Sequence, residues 1–189
     1  NIYIHQDLAN AAHHFRTEID TRLKEDKRGG IAFEYLACMT MLAFSLEAKI
    51  NFFGEKLVED WNERANFWEK LSSVLNRAKI PKSEVPQSSI NMLKNLRDMV
   101  AHGKPNEEQF EEIVETTTEE IDRGMDLDGA WVKYCDSSIT FEIYNNIDAL
   151  LHKFDEVLME HELIDATHGF RSIKIVEKWD ITSQTWKPV

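Results

Sequence analysis

Apolar residues recur at three- and four-residue spacing along most of the chain, the pattern of amphipathic helices with one buried face. Leu8, Ala12, Phe15, Ile19 and Leu23 make a single stripe and predict a first helix over residues 7–27. Asp7 is placed to cap its start, and Gly29–Gly30 to stop it. Ile31, Phe33, Leu36, Met39, Leu42, Phe44, Leu46, Ile50 and Phe53 predict a second helix over 31–53, ended by Gly54. From 35 to 44 that segment is apolar on nearly every side, so it is expected at the centre of a bundle. Trp61, Phe67, Trp68, Leu71, Val74 and Leu75 predict a third helix over 57–79, stopped by Pro81. Two prolines make 81–88 a loop. Ser88 or Ser89 can then cap a fourth helix over 90–102, with Ile90, Leu93, Leu96 and Val100 inward, Gly103 as the residue after its end and Pro105 beyond.

Residues 105–122 are acidic. Phe110, Ile113, Val114 and Ile121 are spaced for a helix there, against the β-branched run of threonines at 116–118. A turn is predicted over 124–129, and a last long helix over 138–163 from Phe141, Tyr144, Ile147, Leu150, Leu151, Phe154 and Leu158. From Arg171 the pattern changes to alternation (Ile173, Ile175, Trp179, Ile181), which predicts a short hairpin. The expected fold is therefore all-α: a bundle of five to six helices over 1–170, then a tail or short β-hairpin over 171–189.

Composition agrees with this picture. The chain has 189 residues, 42% hydrophobic and 30% charged, with only 7 Gly and 4 Pro, enough apolar material for one sizeable core built from long regular elements. A net charge of −12 speaks against broad electrostatic binding to nucleic acid, though a local basic cleft is compatible with it. Two cysteines make no disulfide framework, and Cys38, inside an apolar run, reads as a buried small hydrophobe. No basic n-region with an apolar h-region precedes the first helix, and the most apolar stretch is flanked by Glu34 and Glu47, so a cytoplasmic chain with no membrane partner is expected.

The candidate chemistry lies at the end of the fourth helix, in Asn-Leu-Arg-Asp-Met-Val-Ala-His-Gly. Arg97 and His102 are five residues apart, about 140° around a regular helix. His102, in the last turn before Gly103, can turn away from the axis toward an arginine one turn back. Arg is a permanent cation whose planar fork fits phosphate oxygens. His can act as general base or acid near neutral pH. Together they are minimal equipment for metal-free RNA cleavage.

Three stretches, read in order, carry a family likeness: Ser45-Leu46-Glu47-Ala48-Lys49-Ile50-Asn51-Phe52-Phe53, Phe67-Trp68-Glu69-Lys70-Leu71, and Leu96-Arg97-Asp98-Met99-Val100-Ala101-His102-Gly103-Lys104. Over about residues 31–105 the chain resembles HEPN-domain proteins. The resemblance implies a helical bundle that commonly dimerises, two Arg-polar-x-x-x-His motifs facing one another across a composite cleft. Many such domains are RNases of toxin–antitoxin, phage-defence and RNA-decay systems; others serve only as binding or dimerisation modules. By position, Arg97 would be the phosphate and transition-state group, His102 the general base, and Asp98 the polar residue that orients them. Glu47 matches an acidic position near the cleft. Lys104 stands where some toxin members carry a tyrosine modified by a partner antitoxin, which argues against that type of partner.

The resulting expectation is a metal-independent endoribonuclease with an RNA substrate, a homodimer, no cofactor, and a protein antitoxin or regulator as a further partner. Two rivals stand beside it: a non-catalytic helical interaction module, and an acidic antitoxin or immunity protein that uses the net charge to bind a basic toxin. His161, Asp165 and His168 share a helical face, but the full HExxH pattern is missing and a solvated polar face explains them without a metal. His13 and His14 are adjacent and read as surface residues. Trp61, Phe67 and Trp68 read as core before they read as base-stacking groups. No Walker loop, dinucleotide glycine pattern, zinc-finger spacing or serine-nucleophile elbow occurs.

Overall fold

In a computed structural model the described residues are 4–103, 131–161 and 163, together with the backbone of 177–180 and 185–188. Among them are five α-helices: α1 (Ile4–Lys24), α2 (Ile31–Leu57), α3 (Phe67–Arg77), α4 (Gln87–His102) and α5 (Ser137–Glu160). The all-α bundle expected from the periodicity is the observed architecture. The acidic segment 105–122 and the turn 124–129 lie outside the described residues. In the tail, β1 (Glu177–Asp180) pairs antiparallel with β2 (Thr185–Pro188), with Trp179 opposite Trp186.

The central position of α2 follows from its composition. It is long and apolar enough, by length and hydropathy alone, to cross a membrane. Here α1, α3, α4 and α5 all pack on it. Leu42, Leu46, Ile50 and Phe53 of α2 meet Leu93 and Leu96 of α4 and Ile147, Leu150 and Phe154 of α5 in one continuous core, the Phe53 and Phe154 rings 5.5 Å apart. Two of its buried polar side chains find backbone partners. Ser45 Oγ donates to the His5 carbonyl at 3.1 Å, and Cys38 Sγ to the Ala12 carbonyl at 3.4 Å. Burial pushes the Cys38 thiol up to about 12, as suits a small apolar residue. Lys49 of α2 forms an ion pair with Asp155 of α5, their side chains only 4% and 16% exposed.

Helix ends are where local chemistry departs from the periodicity. α1 is already helical at Ile4, the first described residue and three residues before the expected cap, so Asp7 lies within the helix, in the first described turn. It stops before the glycine pair, through a Schellman closure: Lys27 N–H bonds the Arg22 carbonyl, Asp26 N–H bonds the Leu23 carbonyl, and Asp26 is left-handed at φ 53°. α3 closes the same way with Lys79 at φ 55°, Ile80 N–H reaching Leu75 and Lys79 N–H reaching Asn76. A Cβ is disfavoured in that backbone region by about 1 kcal/mol. Lys79→Gly is therefore expected to raise the urea midpoint, by about 0.5–1 kcal/mol of stability; an unchanged midpoint would show that the lysine side chain compensates.

Three boundaries need correction, the first being α4, which starts at Gln87 within the expected loop with Pro86 before it, so that Ser88 and Ser89 lie in its first turn and do not cap it. The second helix does not end at Gly54 but continues to Leu57. Gly54 is there for space: a Cβ on it would come within 2.3 Å of the Trp61 indole. The third helix starts at Phe67 rather than 57, because Val58 is extended and Asn66 supplies the cap, its side-chain oxygen accepting from Trp68 N–H at 3.0 Å and Glu69 N–H at 3.1 Å. Trp61 thus belongs to the connection and folds back over α2. Gly54→Ala should lower stability by about 1–2 kcal/mol, because displacing the indole outweighs the gain in helix propensity. Denaturation followed by tryptophan fluorescence would test it.

Candidate functional site

α4 crosses α2 so that Arg97 reaches Glu47. Arg97 Nε lies 3.2 Å from Glu47 Oε2, and Nη2 donates to Glu47 Oε1 at a long 3.4 Å. The Nε contact is ionic, since that N–H has no well-directed hydrogen-bond acceptor among the described residues. Arg97 Nη1 donates to Asp98 Oδ1 at 3.1 Å, and Lys94 Nζ donates to Asp98 Oδ2 at 2.5 Å. The result is a chain of alternating charge, Lys94–Asp98–Arg97–Glu47. Each of the four side chains is between 30 and 37% exposed. The Lys94 ammonium, and after it Arg97, holds the Asp98 carboxyl below the usual carboxylate range. In such partly wet pairs each contact contributes about 0–1 kcal/mol, so the array positions Arg97 more than it stabilises the fold.

The structure brings Arg97, Asp98 and Glu47 together and adds Lys94, one turn before Asp98. The i,i+4 spacing of Lys94 and Asp98 is legible in the chain and was the signal for it. His102 stands apart. It is the last residue of α4, exposed, followed by left-handed Gly103, and its side chain makes no hydrogen bond to another described residue. Lys104 lies outside the described residues.

Two hollows share the Arg97–Glu47 pair as a common wall. The first, of 260 Å³, is lined by buried Ala43, Leu46, Ile90 and Leu93, with Phe67 beside them and Lys94, Asp98 and Asn66 as its other polar residues. The second, of 330 Å³ and more open, is formed by Leu8 of α1 and by Phe44, Ala48 and Asn51 of α2. Helical geometry explains the division. Ala43 and Phe44 are neighbours in sequence and so point about 100° apart, while Glu47 lies one turn above both. His102 lines neither hollow.

The remaining polar residues read from the sequence fall elsewhere. His13 is not simply a surface group: its Nδ1 lies 3.0 Å from the Tyr144 hydroxyl on α5, and Arg16, three residues on, sits over the Phe141 and Tyr144 rings at 5.0 and 5.7 Å. Burial raises the Asp148 carboxyl beside them, with His152, His13 and Arg16 opposing. His14 is exposed. His161 Nε2 accepts from Arg77 Nη2 at 3.0 Å; Asp165 and His168 lie outside the described residues. Among the described residues no three His, Cys, Asp or Glu side chains are grouped to hold a metal. Trp61, Phe67 and Trp68 pack against the core, Phe67 also reaching the first hollow. No family model, curated protein or solved structure matches this chain.

Proposed function

We propose that this chain is a metal-independent endoribonuclease of HEPN type, acting as a homodimer on single-stranded RNA. The observation that carries the reading is the placement of Arg97. Its guanidinium is held between Glu47 and Asp98 at the wall of two hollows, and it keeps part of its surface in water. Arginine has five N–H donors, and two are in hydrogen bonds to described residues, so donors remain for phosphate oxygens.

The reaction uses these side chains as follows. His102 accepts the proton of a 2′-hydroxyl. The resulting oxygen attacks the adjacent phosphorus, the bond to the 5′-oxygen breaks, and that oxygen takes a proton from water, giving a 2′,3′-cyclic phosphate and a 5′-hydroxyl. Arg97 stabilises the added negative charge on the phosphoryl oxygens. Because His102 is exposed at the tip of α4, on a different side from Arg97, we assign its productive approach to a dimer in which two α4 ends meet. Val100, in the last turn of α4, is exposed rather than inward as its spacing predicted, and gives the contact an apolar component. Such an activity fits a toxin or phage-defence setting, restrained by a partner protein. Incubation of the purified chain with tRNA and mRNA in chelator tests the reading. Fragments with cyclic phosphate ends are expected, and intact RNA at every protein concentration would end it.

A second reading has its own support. Arg97 is neutralised by two carboxylates, and His102 contacts neither. That arrangement also suits a non-catalytic interaction module in which the array braces α2 against α4.

A further inference from the structure

We infer that the two hollows on either side of the Arg97–Glu47 pair receive the two bases of one dinucleotide step of single-stranded RNA, with the linking phosphate on Arg97. This rests on the RNA reading above and goes beyond it by naming what surrounds the phosphate. Three observations favour that occupant. Volumes of 260 and 330 Å³ lie just below and at the bottom of the range for small-molecule sites, which suits one heterocycle each rather than a larger ligand. Each hollow offers one aromatic ring, Phe67 in the first and Phe44 in the second, among aliphatic side chains, and base–aromatic stacking is the common mode of single-strand capture. The hollows meet at a guanidinium, and in RNA two neighbouring bases are joined through a phosphodiester.

Polar groups at the edges are arranged for base edges. Asn66 spends its side-chain oxygen on the α3 cap, which leaves its amide N–H groups as donors toward the first hollow. Asn51 accepts from Lys70 at 2.9 Å, and its own amide N–H groups remain for the second. Glu47 and Asp98 supply acceptors for exocyclic amines. A duplex is excluded by this geometry, because its bases are stacked and paired and cannot enter separate hollows. The net charge of −12 fits a contact confined to one phosphate rather than a long backbone track.

The test uses 2′-O-methyl dinucleotides of the four homopolymer sequences, which lack the attacking hydroxyl and so bind without being cleaved. They are titrated into the isotopically labelled full chain and followed by amide chemical shifts. Saturable shifts on α2, the start of α3 and α4 are expected. Ala43→Leu fills the first hollow and Ala48→Leu the second, and each should weaken binding about 5- to 100-fold, the loss of one stacked base. Phe67→Leu, which keeps volume and removes the ring, stands in where Ala43→Leu does not fold. Absence of saturable shifts at millimolar dinucleotide, or binding unaffected by the filling variants, overturns the inference. Binding lost in those variants, from a chain that cuts no RNA, supports the subsites and removes the nuclease reading. Cleavage whose rate and base preference survive both filling variants does the reverse.

Discussion

Replacing His102 by alanine is expected to reduce RNA cleavage by about 10²–10⁴, the contribution of a positioned general base. Arg97→Ala should reduce it by about 10²–10³ through loss of charge stabilisation at phosphorus. Neither change should unfold the protein. His102 is exposed at a helix tip, and the pairs that Arg97 makes are partly wet, so their removal affects stability by about 1 kcal/mol or less. Arg97→Lys should not restore activity, because an ammonium cannot span Glu47, Asp98 and a phosphate with one planar fork. The measurement is single-turnover cleavage of a labelled RNA beside a melting curve for each variant. Wild-type rates in both alanine variants would transfer the array to the interaction-module reading, where it braces α2 against α4.

The largest expected effect on stability lies away from the site. Asp155→Ala leaves the Lys49 ammonium, on the central helix and 4% exposed, without its carboxylate. Removing one side of a buried ion pair destabilises by about 3 kcal/mol or more, because the desolvated charge loses its counter-charge. The effect is linked to pH. Burial already holds Lys49 below the usual lysine value of 10.5, with Asp155 opposing. Between the folded-state value and 10.5 the unfolded chain binds more protons, so stability rises with pH across that window. Without Asp155 the folded-state value falls further, and the rise should begin at lower pH and be larger. Lys49→Met combined with Asp155→Leu should recover most of the loss, since an apolar pair of similar volume carries no such desolvation. Urea denaturation at several pH values checks both parts; a pH-independent deficit in the single variant would mean that Lys49 keeps its proton in the folded chain.

Much of this architecture is legible before any coordinates. Period-3.6 stripes place α1, α2, α4 and α5 to within a few residues, because side-chain burial and helix geometry are both local in sequence. Gly103 closes α4 as its position predicts, left-handed at φ 31°, and the apolar run at 35–44 puts α2 in the middle. Arg97, Asp98 and Glu47 are also found from the chain, through a motif and a likeness of residues in order. What periodicity misread are positions whose apolar residues serve a connection. Trp61 has helical spacing to Phe67 and Trp68, yet it covers Gly54 from a loop, since Asn66 offers a better start for α3.

Sequence alone determined the helical class, the central helix and the residue types at the site, because hydrophobic pattern, turn chemistry and charge are properties of the chain itself. Tertiary structure alone decided that Glu47 reaches Arg97 across fifty residues, that Lys94 joins them, that His102 stands apart, and that hollows open on both sides of the pair. Those depend on the crossing of α4 over α2, and a crossing is set by how two whole helix faces interlock, which no local spacing encodes.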